Sequence, residues 1–100
     1  MLPTVTATVK CWIQHNGDHR KNIVGPQVRR LRVARGMSQT ALAASCQRRG
    51  WDVGRDAVAK IEGGIRWVCD SELLELAKAL SCPLAELFPA RAQSLIRGRK

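Results

Sequence analysis

Residues 36–64, GMSQTALAASCQRRGWDVGRDAVAKIEGG, decide how this chain folds. The stretch carries start signals for two short helices, each closed by glycine. Ser38 is a preferred N-cap, because its hydroxyl can accept from an amide two or three residues on. Met37 before that cap and Leu42 at the fourth helical position make a hydrophobic staple. The helix so begun continues through Ala43, Cys46 and Arg49 and stops at Gly50. Trp51, Asp52 and Val53 then turn the chain. Gly54 is an acceptable cap for the next helix, and Val53 pairs with Val58 in a second staple. That helix covers Arg55 to Glu62, with Val58 and Ile61 facing inward and Arg55, Asp56, Ala59 and Lys60 facing outward. Gly63-Gly64 ends it.

The same rules extend to either side. Pro26 suits the first position of a helix. Val24, Val28 and Leu31 follow at spacings of four and three, which predicts a first helix over Pro26–Arg35 with Gly36 as its stop. Arg29, Arg30, Arg32 and Arg35 are expected to cover its outer face. A fourth helix starts near Cys69-Asp70. Cys69 as cap puts Glu72 at the third helical position and pairs Val68 with Leu73, whereas Asp70 offers the better capping side chain. Leu73, Leu76, Ala77 and Leu80 form its buried stripe, with Leu74 on the flank. Cys82-Pro83 begins a short fifth helix in which Leu84, Leu87 and Phe88 close the core, and Pro89 ends it. The expected architecture is all-α: a five-helix domain over 24–88, an N-terminal arm over 1–23 that is flexible or dimer-associated, and a basic tail over 89–100. One turn of helix is expected in that tail near Gln93–Arg97. Within the arm, Thr4 to Ile13 alternates weakly enough to suggest one strand, which would need a second copy of the chain to pair with.

Charge is unevenly spread. The chain has 100 residues and a formal net charge of +9. Residues 1–50 hold nine Lys or Arg against Asp18 alone, while residues 51–100 hold eight against seven acids. Such an excess favours nucleic acid or an anionic surface. No apolar run approaches the ~18 residues of a membrane span, and the opening residues lack a secretory pattern, so no membrane association and a cytoplasmic location are expected. Cys11, Cys46, Cys69 and Cys82 are scattered without a Cys-x-x-Cys spacing. His15 and His19 flank Gly17, which breaks the helix that would align them. Neither a metal site, a cofactor nor a disulfide is expected. No nucleophile lies beside a plausible base, and Gly63-Gly64 follows a helix rather than a strand, the wrong context for a phosphate loop. Catalysis is not expected.

The pieces in order resemble the lambda-repressor/Cro-like helix-turn-helix family. They are Val28-Arg29-Arg30-Leu31-Arg32, then Gly36-Met37-Ser38-Gln39 with Leu42-Ala43, then Ile61-Glu62-Gly63-Gly64. Leu73-Leu74-Glu75-Leu76-Ala77-Lys78-Ala79-Leu80 and Leu84-Ala85-Glu86-Leu87-Phe88 complete the match over residues 24–88. Between Leu42-Ala43 and Ile61-Glu62 this chain runs about five residues longer than the family's common pattern. The longer second helix and a connection containing Trp51 absorb them.

The resemblance implies a regulator that binds double-stranded DNA as a homodimer on a palindromic operator, with the third helix in the major groove. Eight helical residues rise about 12 Å, close to that groove's width. Gln39 and Thr40 would meet a phosphate at the start of the second helix. Arg55 would read guanine, Asp56 would accept from cytosine or serve the helix dipole, and Ala59 and Lys60 share their face. Arg66 in the next loop would hold the phosphate backbone, with Trp67 packed beneath that loop. Arg20 and Lys21 would form a basic arm on DNA. Glu62 is read as a structural anchor for the turn after the third helix. The alternative is an antitoxin that also binds its own promoter, with residues 1–22 or 89–100 holding a toxin protein.

Overall fold

The computed structural model describes residues 20–97. Among these residues five α-helices succeed one another: α1 (Gly25–Ala34), α2 (Gln39–Arg48), α3 (Arg55–Glu62), α4 (Asp70–Ala79) and α5 (Ala90–Arg97). A 3-10 turn, Leu84–Leu87, stands between α4 and α5. Thus the expected fifth helix is the 3-10 turn. The tail, expected to hold one turn near 93–97, instead carries an eight-residue helix. Pro89 ends the 3-10 element and opens the next, its carbonyl accepting from the Ala92 amide at 2.8 Å. The suggested strand over 4–13 and both histidines lie outside the described residues.

Why the helices stop where they do is a single piece of chemistry used four times. After α1, Gly36 donates to the Val33 carbonyl and Met37 to that of Arg32. The same paired bonds follow α2 (Gly50 to Gln47, Trp51 to Cys46), α3 (Gly64 to Ile61, Ile65 to Lys60) and α4 (Ser81 to Lys78, Cys82 to Ala77). This Schellman closure satisfies carbonyls that have no helical partner, and it requires a left-handed residue at its corner. Gly36, Gly50 and Gly64 sit there at φ +69°, +95° and +78°. The fourth corner is Ser81 at φ +53°. A side chain in that region costs about 1 kcal/mol or more, part of which glycine returns through its freer unfolded chain. Ser81→Gly is therefore expected to raise stability by about 0.5 kcal/mol, read as a higher urea midpoint at unchanged slope.

Burial follows the apolar periodicity. Val28, Leu42, Cys46, Val58, Ile61, Leu76, Leu80 and Leu87 are fully buried and bring all four main helices and the 3-10 turn to one centre. Leu73 and Phe88 pack on its edge. Burial pushes the Cys46 thiol up to about 11, helped by Glu75 and opposed by Arg49, so it stays a neutral apolar filler. Cys46, Cys69 and Cys82 are free thiols. Helix α3 sits against both α1 and α2. At its N-terminus Gly54 caps without a side-chain bond, as expected.

One arginine departs from expectation. Arg32, placed on the outer face of α1 by its charge, is 9% exposed and turned toward α3. It lies four residues after Val28, on the edge of the buried stripe, where a charged side chain must find a partner. No described helix is long and apolar enough to cross a membrane.

Candidate nucleic-acid interface

The partner of Arg32 is Glu62, in the last turn of α3. Arg32 Nε donates to Glu62 Oε2 at 2.6 Å and Nη2 to Oε1 at 3.1 Å, a two-pronged pair between side chains 11% and 3% exposed. Arg32 Nη1 also donates to the Met37 carbonyl at 2.7 Å. Glu62 then accepts from Gln39 Nε2 at 3.1 Å. A single carboxylate thereby joins the end of α1, the start of α2 and the end of α3. Glu62 is structural, as expected, but it ties three helices together rather than the turn that follows α3.

At the start of α2, Ser38 Oγ accepts from the Ala41 amide at 2.9 Å. Gln39 is half-buried and Thr40 exposed. An amide nitrogen carries two N–H groups, and Glu62 takes one of those on Gln39. This contact joins the opening turn of α2 to the last turn of α3.

Along α3, the expected face is in the open. The Arg55 side chain is 62% exposed and that of Asp56 88%, with Arg55 Nη1 3.5 Å from Asp56 Oδ1. Such a pair in water holds neither group firmly. Lys60 is exposed one turn later and Ala59 is half-buried between them. Opposite, Val58 and Ile61 are fully buried, so the helix cannot rotate without emptying the core.

Beyond α3 the loop is more tightly engaged than its sequence suggests. Arg66 Nη1 and Nη2 donate to Glu72 Oε1 and Oε2 at 3.0 and 3.3 Å, and Nη1 also to the Trp67 carbonyl at 3.0 Å. Its guanidinium lies 6.0 Å from the Trp51 ring centroid, so the lengthened α2–α3 connection touches this loop. Glu72 Oε1 accepts in turn from the Cys69 amide at 3.1 Å, which settles Cys69 as the N-cap of α4. Trp67 is 42% exposed rather than tucked beneath the loop.

Partial burial raises the Glu72 carboxyl, but bonds from Arg66 and the Cys69 amide outweigh it and hold the group below the usual carboxylate range. A carboxylate depressed in the folded state contributes stability that is complete above its unfolded pKa and fades as pH falls through the folded value. Acid titration of stability should therefore flatten below pH ~4 in Glu72→Gln relative to the parent, measured from urea midpoints. A parallel loss in both proteins would remove the ion pair from the account.

Arg20 and Lys21, expected to lie in a leading arm, belong to the body. The Arg20 stem lies over Gly64, and the Lys21 amide donates to the Gly64 carbonyl at 2.6 Å. Lys21 is exposed. Next to them is a residue the sequence did not single out. Asn22 Nδ2 donates to the Ile61 and Arg66 carbonyls at 3.1 and 2.8 Å, while its Oδ1 accepts from the Gly25 amide at 2.8 Å. Its signal was a polar residue three before a glycine-proline helix start, readable only as a local turn. Among the described residues no group of His, Cys, Asp and Glu could hold a metal.

Comparison with known proteins agrees with the fold. The helix-turn-helix family model matches residues 28–87. The restriction-modification controller protein C.AhdI from Aeromonas hydrophila has a similar structure, with 37% identity and a TM-score of 0.58 over 65% of this chain and 87% of that one. The DNA-binding domain of BldD is also similar, with 31% identity and a TM-score of 0.58 over 67% of this chain and 90% of that one. No curated protein sequence matches the chain.

Proposed function

The chain belongs to the helix-turn-helix family of the lambda-repressor/Cro type, and from that premise we propose that it is a transcriptional repressor that binds a palindromic operator as a homodimer. The observation that carries this reading is the exposure of Arg55, Asp56 and Lys60 on an α3 whose other face is locked in the core. Positive charge draws the protein to DNA without regard to sequence. Arg55, at the front of α3, donates through its guanidinium fork to guanine O6 and N7, and Asp56 accepts from a cytosine amino group. Ala59 is small enough to let the helix approach, and Lys60 reaches the backbone or a base one turn along. The second N–H of Gln39, the Thr40 hydroxyl and the opening amides of α2 take a phosphate beside the groove. Arg66 and Lys21 flank the same edge, with Arg20 nearby. Two α3 helices in a two-fold dimer would sit about 34 Å apart, one turn of the duplex.

Selection of bound sites from a random DNA library, followed by titration at rising salt, tests the proposal. The double change Arg55→Ala, Lys60→Ala is expected to cost about 2–4 kcal/mol on the selected site, or roughly 30- to 700-fold, with the fold intact. Affinity that ignores salt, or a double variant that binds like the parent, would reject the reading.

A further inference from the structure

We infer that Trp51, in the lengthened connection ahead of α3, positions Arg66 so that one edge of its guanidinium is kept ready for a DNA phosphate; the inference rests on the functional reading above and gives it a residue it lacked. Arg66 is fixed at three points. Its carbonyl accepts from Asn22 Nδ2 at 2.8 Å, which ties its backbone to the segment ahead of α1. Its Nη1 donates to the Trp67 carbonyl and to Glu72 Oε1, both at 3.0 Å, and its Nη2 to Glu72 Oε2 at 3.3 Å. Its guanidinium carbon lies 6.0 Å from the centre of the Trp51 ring, within range of attraction between a cation and an aromatic face.

Trp51 is held in turn. Its amide closes α2 on the Cys46 carbonyl at 3.0 Å, and its carbonyl accepts from the Val53 amide at 2.8 Å. Gln47 Nε2 pins the same turn through the Val53 carbonyl at 2.7 Å. The indole is half-buried and packs on the edge of the core, so it offers Arg66 a stationary surface.

The hydrogen-bond arithmetic shows what is left over. A guanidinium has five N–H groups and two edges that can grip an oxyanion with two prongs, one between Nη1 and Nη2 and one between Nε and Nη2. Glu72 fills the first edge, and the Trp67 carbonyl takes the other N–H of Nη1. The second edge, Nε with the remaining N–H of Nη2, meets no acceptor among the described residues. The side chain is 31% exposed, so it is open to solvent as well as clasped. Glu72 cancels its charge, and the pair therefore acts on DNA at contact rather than from a distance. Orientation then counts for more than charge. A loose arginine gives up rotamer freedom when it grips a phosphate, and this one has given up most of it beforehand.

The test is binding of the full chain to its selected duplex at several salt concentrations, corrected for folded fraction by melting curves. Arg66→Ala is expected to weaken binding about tenfold and to lower the steepness of its salt dependence by about one. Trp51→Leu keeps apolar bulk on the core edge and removes the aromatic face. It should weaken binding about three- to tenfold at unchanged steepness, because no charge is lost. Trp51→Phe should bind nearly as the parent does. In an Arg66→Ala background, Trp51→Leu should have no further effect, whereas a purely structural tryptophan would cost the same in both backgrounds. The Arg66 Nε–H resonance of the parent should move when the duplex is added, a readout that needs no variant to fold. Additive losses, a Trp51→Leu protein that binds like the parent, or a resonance indifferent to DNA would overturn this inference alone. A parent that does not bind DNA would overturn it together with the functional reading.

Discussion

Glu62→Ala is expected to destabilise the protein by about 3–5 kcal/mol. The substitution leaves the Arg32 guanidinium, 11% exposed, facing a site built for a carboxylate. An unpaired buried charge is far more costly than the pair was worth, and small domains have only about 5–15 kcal/mol to lose. Replacing both partners, Arg32→Met with Glu62→Leu, should recover most of the loss because apolar groups of similar volume fill the same space. That double variant also separates two roles. It should fold, yet bind DNA more weakly, since Gln39 loses the oxygen that fixes its amide. Urea denaturation of the three proteins decides the matter. A loss under about 1 kcal/mol in Glu62→Ala would mean that water reaches the pair.

Gly25→Ala is the second large effect. A Cβ at this position would stand 2.8 Å from the Glu62 carbonyl oxygen and closer still to that of Ile61. Both are backbone atoms at the end of α3, so no side chain can swing away. The helices must separate, at a cost of about 3 kcal/mol, or roughly 12–24 °C in Tm for a domain of this size. The change touches nothing on the exposed side of α3. Its effect on DNA binding should therefore track loss of folded protein, and a melting temperature within a few degrees of the parent would show that α1 can retreat freely.

The boundaries of α3 were readable to the residue, because Gly54, the Val53–Val58 staple and the paired glycines all speak through local backbone chemistry. The same logic found three of four Schellman corners. It missed Ser81, since a left-handed serine carries no sign in a Ser-Cys-Pro sequence. Arg32 was misplaced because helical periodicity sends charges outward unless a partner is known, and Glu62 is 30 residues away. Asn22, whose bonds span 39 and 44 residues, was hidden for the same reason. At the candidate site, Arg55, Asp56 and Lys60 were legible as the polar side of an amphipathic helix. That Arg66 is already clasped by Glu72 was not, because nothing in sequence distinguishes a loop arginine kept for a ligand from one used by a cap.

The saturation of Asn22 has a mechanical corollary. Both its donors and its acceptor are spent on three separate strands of backbone, so the peptide ahead of it and the rear of α3 share one rivet. Trimming the chain through Asn22 should unseat α3 from behind.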